Sequence, residues 1–439
     1  MSISSMPFVL KFLIVLIITF SISLLLTPLM TFVSKAIGAV DNPNARRVNN
    51  KPMPTGGGLP IYIAFVITTL IILPMIVHVQ PAFISTIPLK HGTPPHLQSY
   101  FNYVFPFVIG GGIIVLTGLI DDIKEISPKM KLLGQTIAAV FIWFFTHARL
   151  DNIKIPFGGP LVIFPEWLSF IFTVFWILAI TNAINLIDGL DGLASGVSVI
   201  SLSTMGLVSY FFLQSPNVFL PITIFALVAA IMGFFPYNYH PAIIFLGDTG
   251  ALFLGFMIAV TSLQGLKNAT AVAVVTPLLI LGVPLTDTVM AIIRRRLNKQ
   301  SITAADKRHL HHRLMALGFT HRGAVLIIYG IAGIFAFISI ILQVSSRLGG
   351  VLLVIACLFG LEIFIELVGI LGENRQPMLK ALRFIGNSGY RDAVLKHENY
   401  EKNQDNEDTI EVDIPIISPK NTEKKPAARL SRVNKDKKE

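Results

Sequence analysis

Eleven apolar stretches, each about as long as a bilayer is thick, constrain this chain more than any other feature. A hydrocarbon core of about 30 Å takes roughly 20 apolar residues as helix. Stretches of that kind run over residues 7–32, 57–78, 103–120, 132–148, 167–185, 193–213, 219–235, 248–264, 270–293, 323–343 and 349–371. With 53% apolar and 14% charged residues among 439, and a mean hydropathy of +0.69, the chain is far more apolar than a soluble domain of this length. The expected fold is all-α: a polytopic membrane helical bundle of about eleven transmembrane helices.

The first stretch lacks a basic leader and a small-residue cleavage site and is longer than a signal core, so it reads as a retained span. One cysteine, Cys357, in the last stretch, excludes a disulfide framework. The net charge of +10 would suit nucleic acid, but its placement argues against that partner. With the N-terminus outside, the inner loops 33–56, 121–131 and 294–322 hold four, three and eight Lys or Arg. Only Lys11, Lys90, Arg149, Lys154, Lys267 and Arg347 fall in outer loops or the first span. The bias predicts an external N-terminus and an internal C-terminus.

One integral domain is expected over 1–372 and a cytoplasmic tail over 373–439. From about 395 the tail turns to Lys, Glu, Asn, Asp and Pro, cannot bury enough surface to fold, and is expected to be disordered. Its basic end suits anionic membrane lipid, and equally plain solvation. No internal repeat is visible.

On this topology the acids and imidazoles gather on the cytoplasmic side. In "GLIDDIKEISPKMKLLG", Asp121 and Asp122 stand where the third span leaves the bilayer. Adjacent carboxylates repel unless a cation lies between them, although a solvated helix end is as common a reason for such a pair. In "TNAINLIDGLDGLASG", Asn182, Asn185, Asp188 and Asp191 recur every three residues as a slow spiral, with Gly189 and Gly192 ending the helix so that amides and carboxylates converge. That oxygen-rich set suits a hard divalent cation or a nucleotide, while Asn182 also reads as glue between helices. Asp248, in "FLGDTGALFLGF", sits at a helix start, where a phosphate site and an ordinary N-cap look alike.

The loop 294–322 joins His309, His311 and His312 to eight cations, among them Arg308. Binding a pyrophosphate, or protonating a leaving group, suits it better than a transition metal. The first inner loop, "DNPNARRVNNKPMPTGGG", brings Arg46, Arg47 and Lys51 toward phosphate on a proline- and glycine-shaped turn, or serves as a connector. Asp287, inside a span, is read as a support for Arg294 two turns on; Glu362 and Glu366 have no evident role.

In this order and at these span ends, the segments resemble the polyprenyl-phosphate N-acetylhexosamine-1-phosphate transferases over about residues 7–372. "ADKRHLHHRL" points to the bacterial undecaprenyl-phosphate N-acetylglucosamine-1-phosphate transferases rather than to the phospho-MurNAc-pentapeptide transferases. The resemblance implies Mg²⁺, with Mn²⁺ as a substitute, on Asp248 together with Asp121 and Asp122. It puts Asn185, Asp188 and Asp191 around a nucleotide diphosphate and Asn238 against the nucleotide. The "HLHH" histidines approach pyrophosphate and sugar, with Lys51 and Arg308 as further substrate contacts. Asn49, Ile243 and Ala251 depart from the family's usual histidine, basic residue and serine.

The implied activity is transfer of N-acetylglucosamine-1-phosphate from UDP-N-acetylglucosamine to undecaprenyl phosphate at the inner face of the plasma membrane. UMP is released, and teichoic acid or another surface polysaccharide is initiated. A homodimer is left open. The alternatives are the MurNAc-pentapeptide reaction and, in another class, a transporter, although the outer loops carry only Asp151 and Glu166 as acids and offer no exit path. A phosphate monoester is largely ionised at neutral pH, with a second pKa of about 6, which favours direct attack over a covalent aspartyl intermediate.

Overall fold

The computed structural model describes residues 6–42, 51–77, 85–87, 96–98, 100–146, 148–154, 160–212, 219–265, 278–279, 281–297, 309–369, 376–389, 391–392 and 394–395. Arg46, Arg47, Asn49, Arg308 and the tail from 396 lie outside the described residues. The chain divides into a unit over Met1–Leu379 and a second over Lys380–Glu439. The account below concerns the first.

The helices are α1 (Phe8–Ile37), α2 (Gly58–Ile67) continued by a π-turn (Thr68–Ile72) into α3 (Leu73–Val77), α4 (Tyr100–Lys124), α5 (Pro128–Phe145), α6 (Glu166–Ile187), α7 (Leu193–Phe211), α8 (Phe219–Asn238), α9 (Gly247–Gly265), α10 (Gly282–Leu297), α11 (Leu310–Ala316), α12 (His321–Val344), α13 (Arg347–Val368) and α14 (Pro377–Gly386). Among the described residues, eight helical segments, 8–37, 58–76, 100–124, 166–187, 193–211, 219–238, 321–344 and 348–368, are long and apolar enough to cross a membrane. The remaining expected stretches overlap α5, α9 and α10, with residues 270–277 of the last outside the described residues. Among the described residues, three short antiparallel strand pairs lie between helices: β1 (Val40–Asp41) with β2 (Met53–Pro54), β3 (Ser85–Ile87) with β4 (His96–Gln98), and β5 (Asn152–Lys154) with β6 (Leu161–Ile163).

Helix starts follow local chemistry. Ser127, Thr320 and Ser346 accept the backbone N–H three residues on, at 3.4, 3.1 and 3.1 Å, and so cap α5, α12 and α13. Pro128 at the first position of α5 has no N–H to satisfy. α4 runs to Lys124, beyond the expected end at 120, because nothing from Asp121 to Lys124 breaks a helix; Glu125, at φ +46°, ends it. Asp121 and Asp122 are therefore held on a rigid helical turn.

α9 is the axis. Phe253, Phe256, Met257, Ile258 and Val260 are fully buried, as expected for a helix apolar on all sides, and α4, α6 and α7 pack around it. α1 packs on α8 and turns Ile17, Leu25 and Phe32 outward, a large apolar surface suited to lipid. Gly118 allows α4 to cross the start of α9: a Cβ there would lie 2.5 Å from Thr249 Cα. The Asn182 amide donates to Gln135 at 2.7 Å and joins α6 to α5, the helix-gluing role. Glu366, buried at the end of α13, accepts the N–H groups of Met378 and Leu379 at 2.8 and 2.6 Å and so caps α14.

Candidate active site

The ends of α4, α6, α8 and α9 and the loops beside them enclose a cavity of about 620 Å³. Lys51, Asp121, Asp122, Asn185, Asp188, Asp191, Asn238, Asp248, His311 and His312 all line it. Residues scattered over more than 260 positions of sequence thus converge. His309 does not line it, and Arg308 lies outside the described residues.

At the floor, Lys131 from the first turn of α5 bridges two carboxylates. Its Nζ is 2.8 Å from Asp121 Oδ2 and also bonds Asp248 Oδ2, whose other oxygen takes the Asn185 amide. Asp121 is anchored in turn by the Ile126 N–H, 3.0 Å from Oδ1. Asp122 faces the other way. Its oxygens accept the Asp248 N–H at 2.9 Å, the Thr249 N–H at 3.1 Å and the Thr249 hydroxyl at 2.5 Å. The carboxylate that caps α9 is therefore Asp122, reaching across from α4. Asp248 is released from capping and turned into the cavity. Gly247, at φ +68°, makes the approach possible, since a Cβ there would stand 2.7 Å from Asp122 Oδ2.

Asp188 closes the end of α6. Burial, and after it the carboxylates of Asp248, Asp122 and Asp191, push its pKa well above the ordinary carboxylate range, so Asp188 holds its proton more readily than a solvated acid. Asn238, 3% exposed, has both ends of its amide engaged: Oδ1 accepts from Ser195 at 2.8 Å and Nδ2 donates to Ile244 O at 3.1 Å. It braces α8 against α7 at the cavity wall. Lys51 stands exposed at the mouth.

The histidines divide into two roles. His309 Nδ1 lies 3.0 Å from Asp287 Oδ2, and Asp287 Oδ1 accepts the Leu310 N–H at 2.9 Å. Both residues are buried. Asp287, read from the sequence as a support for Arg294, holds the head of α11. His311 and His312 then face the cavity with ring centroids 4.2 Å apart.

Burial, and next to it the neighbouring His312, push His311 down to about 3, so its ring is neutral at physiological pH. A histidine depressed in the fold binds its proton only in the unfolded chain between pH 6.5 and about 3, so stability falls as pH drops through that window. At pH 5.5 the loss is about 1.4 kcal/mol. Thermal unfolding at pH 7.5 and 5.5 should show a larger drop for the wild type than for His311→Gln.

Lys131 and Thr249, which hold Asp121, Asp248 and Asp122, and His240 and His321 in the cavity wall were not singled out from the sequence. Lys131 was counted only toward topology, and no spacing signal ties it to Asp248.

The profile of glycosyl transferase family 4 matches residues 104–266. A probable undecaprenyl-phosphate N-acetylglucosaminyl 1-phosphate transferase of Bacillus subtilis is 38% identical over 83% of this chain and 95% of its own length. The chain belongs to this family. An undecaprenyl-phosphate alpha-N-acetylglucosaminyl 1-phosphate transferase of Escherichia coli O157:H7 is 30% identical over 71% of this chain and 79% of its own. A decaprenyl-phosphate N-acetylglucosaminephosphotransferase of Mycolicibacterium smegmatis is 32% identical over 68% and 74%. The segment matched to the family profile holds Asp121, Asp122, Lys131, Asn185, Asp188, Asp191, Asn238 and Asp248, whereas Asp287 and the histidines of α11 lie beyond it.

Proposed function

We propose that this family member transfers N-acetylglucosamine-1-phosphate from UDP-N-acetylglucosamine to undecaprenyl phosphate, releasing UMP and initiating teichoic acid or another cell-surface polysaccharide. The observation that carries the reading is that Asp121, Asp248 and Asn185 line one cavity with His311 and His312, the two carboxylates bridged by Lys131, in a chain whose relatives carry that activity in their names. The bilayer reading has the eleven expected stretches as spans, the N-terminus outside, and the cavity opening on the cytoplasmic face of the plasma membrane. The membrane domain is taken as 1–372 and the tail as 373–439.

The donor set fits Mg²⁺, or Mn²⁺ in its place: oxygen ligands only, in excess of the one ammonium beside them. Asp248 and Asp121 would hold the ion in place of the Lys131 ammonium that bridges them, since Asp122 is committed to the backbone N–H groups that start α9. Bound there, it supplies neutralisation of the diphosphate charge.

The reaction is read as one displacement. A polyprenyl phosphate oxygen attacks the β-phosphorus, a new phosphorus–oxygen bond forms, and the bond to the bridging oxygen breaks with its electron pair leaving on UMP. The nucleophile is already ionised, so no strong base is needed. Lys131 is placed to pair with phosphate oxygen, His312 and the neutral His311 to hydrogen-bond the diphosphate, and Asn185 to fix the Asp248 carboxylate.

The test supplies purified protein in lipid with undecaprenyl phosphate, Mg²⁺ and either UDP-N-acetylglucosamine or UDP-MurNAc-pentapeptide. Lipid-linked N-acetylglucosamine pyrophosphate and equimolar UMP are expected from the first donor alone. Product from the second donor only would overturn the reading, as would vesicle uptake of nucleotide sugar without lipid-linked product.

A further inference from the structure

Away from the carboxylate floor, three side chains that sequence spacing does not connect meet in one corner of the cavity. Asp191 comes from the turn between α6 and α7, His240 from the segment after α8, and His321 from the first position of α12. Asp191 Oδ2 is 2.7 Å from His240 Nδ1, and the rings of His240 and His321 stack with centroids 4.0 Å apart and planes 22° apart. One donor atom from each of the three lies within 4.8 Å of the other two.

His321 is incompletely served by the protein. The Asp191 N–H meets its Nε2 only at 3.3 Å, and its other ring nitrogen, Nδ1, is buried with no hydrogen-bond partner among the described residues. Such a group costs about 1–3 kcal/mol. His240 is braced on its backbone side, where Arg322 donates to its carbonyl at 3.0 Å and fixes the segment that presents the ring. Two imidazoles and one carboxylate form the donor set of three-ligand Zn²⁺ sites, which keep a fourth position for water or another ligand. Nitrogen donors favour Zn²⁺ and its neighbours over Mg²⁺, which keeps to oxygen.

We propose that Asp191, His240 and His321 form a binding site for a divalent transition ion of the Zn²⁺ class, separate from the carboxylate site around Asp248. All three side chains line the cavity, so an ion held between them would be reachable by a nucleotide or block it. Because Asp191 also lies where the nucleotide diphosphate is proposed to bind, occupancy excludes the donor. That competition rests on the function proposed above, whereas the ion site does not.

The experiment uses the full chain in lipid nanodiscs with excess Mg²⁺ to fill the carboxylate site, and Co²⁺ and Zn²⁺ as probes. One equivalent of Co²⁺ should give the visible absorption of a nitrogen-ligated ion, Zn²⁺ should displace it and raise the thermal midpoint, and Mg²⁺ should do neither. His240→Ala and His321→Ala should each weaken binding roughly tenfold or more. Should either fail to fold, His321→Gln keeps a polar side chain of similar reach without the imidazole, and loss of the Zn²⁺-induced thermal shift is read on it. Binding unchanged in these variants, or Co²⁺ displaced by Mg²⁺, overturns the site. If the ion binds as described but UDP does not compete with it, the site stands and the shared position of the nucleotide is wrong.

Discussion

Asp248→Asn is expected to leave the fold intact while lowering turnover by roughly three orders of magnitude, about 4 kcal/mol of barrier. Stability and activity separate here because the cap of α9 belongs to another residue. Asp122 accepts the N–H groups of Asp248 and Thr249 and the Thr249 hydroxyl, so an amide at position 248 disturbs none of these bonds. What is lost is a negative oxygen facing Lys131 and Asn185, the pairing that defines the floor of the cavity. Yield and thermal midpoint in detergent should match the wild type, and raising UDP-sugar should not restore the rate. Asp122→Ala should behave differently, losing about 1 kcal/mol of stability with the cap and activity with the displaced Asp248. Turnover of Asp248→Asn within about tenfold of wild type, only about 1.4 kcal/mol, would remove Asp248 from the metal site and shift attention to Asp121 and Asp188.

Asp287→Ala should be among the most destabilising single changes in the described residues, at about 3–5 kcal/mol. Asp287 is 2% exposed and His309 is 6% exposed, so deletion of the carboxylate leaves a ring nitrogen and the Leu310 N–H buried without their acceptor. The consequence extends to the cavity. His311 and His312 sit on the helix that Asp287 anchors, and a loosened α11 carries both away from the diphosphate. Asp287→Asn keeps an acceptor for the Leu310 N–H and should fall between wild type and Asp287→Ala in denaturant midpoint, with turnover following the same order. A loss below about 1 kcal/mol for Asp287→Ala would show that α11 is held by its apolar packing instead.

The membrane class and the identity of the chemistry-bearing segments were legible in the sequence. Apolar stretches set by bilayer thickness report themselves in a linear pattern. Local motifs did so as well: Asp121 with Asp122, the run from Asn182 to Asp191, Asp248 between glycines, and the three histidines are each contained in a few residues. Their roles were not. Asp248 looked like its own cap, and only the crossing of α4 over α9, which Gly118 permits, shows that Asp122 holds that position. Lys131 read as a topological charge until α5 brought its ammonium between Asp121 and Asp248. Asp287 has His309 as its partner, 22 residues on, and Glu366 has the head of α14; neither pairing follows any helical or strand period. The corner formed by Asp191, His240 and His321 draws on three elements whose order along the chain says nothing of their proximity. Local chemistry is written in neighbouring residues and is legible there. The pairing of charges across helices depends on which helices cross, and at what depth, which is decided by packing around α9 and visible only in the tertiary structure.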